Sequence, residues 1–148
     1  MKLLLVSNSR NTVPATHDPP EHFIARFNQV VKLPRFCQIC IVSHTCDDAN
    51  EPKIHYIETP GLPVGSVLGN AEKGGVNNIL GAIVSNSAVS SNEKWIDLNN
   101  PAELTLTELE IKIVNQDAEL ASGLSGLTEI MFGYRPDPHQ KGVTQYFK

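Results

Sequence analysis

Asn99-Asn100-Pro101-Ala102-Glu103-Leu104-Thr105-Leu106-Thr107-Glu108-Leu109-Glu110-Ile111-Lys112-Ile113-Val114-Asn115 decides the fold, because the stretch reads in two ways. As a helix it has a sound start, with Asn100 as N-cap, Pro101 in the first helical position and Glu103 in the third. Leu106, Leu109, Ile113 and Leu120 then share one face. As a strand, Leu109, Ile111 and Ile113 point one way while Glu108, Glu110 and Lys112 point the other. A helix leaves Ile111 off its apolar stripe, and the β-branched residues favour an extended chain. We read a turn over Asn99–Glu103 and a strand from about Leu104 to Asn115. The alternation changes phase between Leu106 and Leu109, which a bulge or a crossing between sheets explains.

With that helix removed, every other apolar segment also reads as a strand. Leu3-Leu4-Leu5-Val6 runs into the turn-forming Ser7-Asn8-Ser9-Arg10-Asn11, and residues 11–21 form a proline-containing loop. His22 to Phe27 alternates with Phe23, Ala25 and Phe27 on one face. Phe36 to Cys46 is an apolar, β-branched run with the character of a buried central strand. Lys53–Ile57, Ile79–Val84 and Lys94–Leu98 follow, and Thr128 to Arg135 alternates with Ile130, Phe132 and Tyr134 inward. Residues 60–78 hold five glycines and two prolines, a long irregular excursion of the kind that carries function or moves. The expected fold is all-β, a single antiparallel sandwich of about eight strands over residues 1–136, with a polar tail over 137–148.

The composition agrees. A chain of 148 residues makes one domain that buries roughly 68–70% of its unfolded surface, so its core needs no disulfide or metal. Charged residues make up 19%, below the usual value of about 25%, which disfavours a helical bundle. The net charge is −4 and no stretch gathers Lys and Arg, so direct nucleic-acid binding is not expected. No apolar run approaches the roughly 18 residues of a membrane span. The first apolar run stops after four residues, short of the about 7–15 of a signal peptide. Three cysteines, an odd number, suit a reducing compartment.

The chemical motifs each favour a plain reading. Cys37-Gln38-Ile39-Cys40 has zinc-knuckle spacing, but residues three apart in a strand point to opposite faces and no second pair exists. Buried structural thiols are expected there. Gly69 to Gly75 has the opening spacing of a phosphate loop without its Lys and Ser/Thr, and Gly123-Leu124-Ser125-Gly126 falls one residue short of a nucleophile elbow. His22, His44 and His55 converge only if their strands are neighbours. Asp47, Asp48 and Glu51 read as a solvated turn, and Trp95, the only tryptophan, as core packing. No catalytic residue, metal ligand or cofactor site is expected. Tyr146 and Phe147 are different, because two aromatics close a polar tail with no local core to join.

Taken in order, these segments resemble the single jelly-roll minor capsid and penton-type proteins of large double-stranded DNA viruses, those of algal giant viruses most of all. Leu5-Val6-Ser7-Asn8-Ser9, the loop after it, and His22-Phe23-Ile24-Ala25-Arg26-Phe27 through Ile41-Val42-Ser43 are similar to the family's N-terminal half, which carries an F-x-x-x-F strand. Ile57-Glu58-Thr59-Pro60-Gly61-Leu62-Pro63-Val64-Gly65-Ser66 and Asn78 to Val84 resemble its central loop and the strand after it. Ile96 to Pro101, Leu109 to Asp117 and Ile130 to Arg135 resemble its closing strands.

The resemblance implies a jelly roll and a structural virion protein without catalysis, made in the host cytoplasm and residing in the icosahedral capsid. Its partners would be the major capsid protein, other minor capsid proteins and further copies of itself. The implied contact elements are the loops at 60–78 and 85–94 and the tail, with Leu62, Val64, Val67, Leu68, Tyr146 and Phe147 as interface residues. Two other readings compete. A carbohydrate- or ligand-binding β-sandwich would expose several aromatics, which total only 6% here. A cupin-like enzyme would need a histidine cluster that the spacing does not supply.

Overall fold

A computed structural model describes residues 1–10, 16–49, 52–65, 67–68, 76–86 and 94–139. Eight strands carry the fold: β1 (Lys2–Ser7), β2 (His22–Leu33), β3 (Cys37–Asp48), β4 (Ile54–Glu58), β5 (Ile79–Val84), β6 (Ile96–Asp97), β7 (Leu104–Val114) and β8 (Leu124–Pro136). Two-residue ladders join Ser9–Arg10 to Thr16–His17 and Val67–Leu68 to Val76–Asn77. No helix occurs among the described residues, so the Asn99–Asn115 stretch is resolved in favour of the strand.

The main strands form two antiparallel four-stranded sheets, ordered β1-β8-β3-β6 and β2-β7-β4-β5. Strand one pairs with eight, two with seven, three with six and four with five, as though a long hairpin had been rolled up on itself. The inward rows of both sheets merge into one buried cluster that includes Val6, Phe23, Ile39, Ile57, Ile83, Leu109, Ile111, Ile130 and Phe132, so the sheets lie face to face.

The phase change in β7 is a bulge. Its partners on β2 jump from Arg26, opposite Glu108, to Val31, opposite Leu106, leaving three extra residues on β2. Before the bulge Leu104 and Leu106 lean against the core, and after it Leu109, Ile111 and Ile113 enter it. The same bulge explains why β2 extends to Leu33 rather than ending near Phe27, since residues 27–30 lose the alternation before Leu33 is buried again. A second irregularity lies on β3, where Ser43 pairs Met131 and Ile41 pairs Phe132, so Val42 is skipped. Inward positions change there from Cys37, Ile39 and Ile41 to His44, Cys46 and Asp48.

Asn100 does not cap a helix. It is 3% exposed, its Oδ1 accepts from Cys37 N at 2.9 Å, and its Nδ2 donates to the carbonyls of Pro34 and Ala102 at 2.8 and 2.9 Å. The residue therefore ties the start of β3 to the turn before β7.

Candidate functional site

The outer face of the first sheet carries the least ordinary surface. In β1, Leu4 and Val6 enter the core, while Leu3 and Leu5 on the opposite face are 56% and 53% exposed. Among the described residues β1 is an edge strand, bonded only to β8, with Leu3 opposite Gly133 and Leu5 opposite Met131. A Cβ on Gly133 would meet Met1 Sδ at 2.6 Å and Val42 Cγ2 at 3.1 Å, so both side chains lean over this glycine. Met1, Leu3, Leu5, Val42 and Met131 thus share an apolar outer patch beside a strand edge that no other described strand pairs. Soluble proteins normally protect such edges with charge, proline or a covering element.

A polar network borders this patch. The Arg135 guanidinium lies 3.9 Å from the Trp95 ring centroid, and its Nε donates to Gln38 Oε1 at 3.0 Å. Gln38 Nε2 in turn donates to Asp97 Oδ1 at 2.9 Å, linking β8, β3 and β6. Trp95 is therefore a partly exposed ring outside the core, not the core residue expected from sequence. Its place on the outer face follows from the short β6, which a lone tryptophan does not signal.

The interface residues expected from sequence fall in three places. Leu62 and Val64 are 2% and 4% exposed and belong to the core cluster, which corrects their reading as contact residues. The turn that carries them folds inward from the fully buried Thr59, with Leu62 N donating to Thr59 O and Val64 N to Leu62 O. Their apolar character serves this chain's own core. Val67 and Leu68 have their backbone in the ladder with Val76–Asn77. Tyr146 and Phe147 lie outside the described residues, as do residues 66 and 69–75 of the first loop and 87–93 of the second.

The thiols and histidines are separated. Cys37 and Cys40 lie on opposite faces of β3, Cys37 within the core cluster and Cys40 outside it, and all three cysteines are buried and unbridged. Burial pushes the Cys37 and Cys46 thiols up to about 11, which keeps both protonated and poorly nucleophilic near neutral pH. His22 meets Glu110 at 2.9 Å, His44 Nε2 contacts Val84 O at 3.0 Å, and His55 faces Asp48. Among the described residues, no three His, Cys, Asp or Glu side chains are placed to hold a metal ion.

No protein-family model matches this sequence, and no curated protein shows detectable similarity to it.

Proposed function

We propose that this chain is a structural component of an icosahedral viral shell, a single jelly roll that packs against capsomers or around a fivefold vertex. The strand order carries the reading: 1-8-3-6 facing 2-7-4-5 is the order expected of an eight-stranded jelly roll, a fold that capsid proteins share with lectins and cupins. Fold alone does not choose among these, and the surface tips the balance. The apolar row on β1 sits on a strand that is an edge among the described residues, where a neighbouring subunit would remove Leu3 and Leu5 from water. Weak contacts of this kind, repeated through a symmetric shell, add up without any one of them being large.

On this reading the partners are the major capsid protein, other minor capsid proteins and further copies of this chain, and the protein resides in the virion. The sugar-binding alternative draws on Trp95, since a partly exposed indole is a platform for a sugar ring. Arg135 already occupies one face of that indole at 3.9 Å. Mixing purified chain with capsomers and following co-sedimentation tests the proposal. Incorporation into capsomer assemblies supports it, whereas binding on a glycan screen without any protein association overturns it.

A further inference from the structure

At the end of the molecule where β1 begins and β8 finishes, a cleft of about 420 Å³ opens between the two layers. Pro34 and Tyr134 contribute apolar wall, Lys2, Lys32 and Glu103 supply charge, and Arg135, whose guanidinium lies over Trp95, borders the opening. Two lysines against one carboxylate leave this cleft basic in a chain whose net charge is −4. Its size falls within the roughly 300–1,000 Å³ of sites that hold small groups.

The opposite end presents the complementary chemistry. After β7 the chain turns through Asn115–Glu119, and Leu120 bridges back to Val114. Asn115 Oδ1 accepts from Asp117 N at 2.9 Å and Glu119 N at 3.1 Å, and Asn115 N donates to Glu119 O at 2.8 Å. Ala118 takes a left-handed φ of 60° to close the turn. This ordered tip exposes Asp117 and Glu119 together with Leu120, which is 44% exposed. It is acidic with one apolar side chain, and the cleft is basic with an apolar wall.

Tip and cleft cannot meet within one chain. Glu103 lines the cleft just before β7 and the tip follows directly after it, so the 11 residues of β7 lie between them. At about 3.3 Å per residue they are roughly 35 Å apart. We propose that the Asp117–Leu120 tip of one copy seats in the Lys2/Lys32 cleft of the next. The contact is heterologous, so it closes into a ring or runs on as a chain according to the rotation between copies. It builds on the assembly reading above and names the partner and the surfaces. Attraction of this kind speeds encounter and weakens as salt rises.

Charge exchange tests the contact, read by sedimentation velocity on the full chain at low and high salt. The native chain self-associates at low salt and less so at high salt. Lys32→Glu and Asp117→Lys each weaken that association at least tenfold, and a chain carrying both substitutions regains most of it. A native chain that stays monomeric at low salt overturns the inference. Association that neither single reversal changes also overturns it, while leaving the assembly reading intact. That broader reading falls separately, through failure to join capsomers.

Discussion

Asp48 Oδ2 lies 3.5 Å from His55 Nε2 across the interior, one residue from each layer, with side chains 1% and 3% exposed. Burial holds the His55 imidazole below its ordinary 6.5, the Asp48 charge opposes that shift, and Lys53 adds to it. The folded chain therefore binds a proton at His55 less readily than the unfolded chain does. This contribution to stability is complete above the unfolded value of 6.5 and falls as pH drops below it. The urea midpoint of the native chain should decline between about pH 7.5 and pH 5.5, and His55→Gln should shrink that decline. An equal decline in both proteins contradicts the assignment.

Asp48 also explains a glycine. A Cβ at Gly123 would stand 2.9 and 3.1 Å from its two carboxylate oxygens, and Asp48 is buried and has little room to withdraw. Gly123→Ala should destabilise the fold by about 1–3 kcal/mol in denaturant melts. Gly61, with nothing within 4 Å of a built Cβ, is the control, and Gly61→Ala should stay within about 0.5 kcal/mol.

Asn100 donates through one amide nitrogen to two carbonyls. Asn100→Asp keeps the shape and the acceptor for Cys37 N but places a carboxylate oxygen against those carbonyls. The expected loss is about 3 kcal/mol of unfolding free energy, easing in acid as the carboxyl takes a proton. A helix-capping role predicts that Asp serves as well as Asn, so this substitution separates the two.

Leu3→Ser with Leu5→Ser separates folding from assembly. Both side chains are more than half exposed, so thermal stability should change by no more than about 0.5 kcal/mol for each. Co-sedimentation with capsomers should fall clearly. Unchanged co-sedimentation would remove the β1 face from the contact surface.

The strand alternation was legible where period two ran unbroken, as in Leu109-Glu110-Ile111-Lys112-Ile113, and so was the bulge at Leu106, because a phase change is local. Residues 27–30 hid the second half of β2, since the extra residues that break its pattern make sense only against β7. The turn over Asn99–Glu103 was legible, but the job of Asn100 within it was not. Its Asn-Pro start is a strong local helix signal, whereas its real partner Cys37 lies 63 positions away. Leu62 and Val64 sit among Gly and Pro and read as loop, and only the inward turn after Thr59 reveals them as core. Exposure of Leu3 and Leu5 depends on β1 being an edge strand among the described residues, a property of the assembled sheets that no single segment carries.

Native mass measurement of the purified chain, with and without capsomers, decides whether this protein acts, as we propose, by fitting against other subunits. The expected result is a closed oligomer at an integer multiple of 16.2 kDa, or a monomer that joins capsomers at fixed stoichiometry. A chain that stays at 16.2 kDa in both samples and gains mass only from a bound sugar or other small ligand would contradict it.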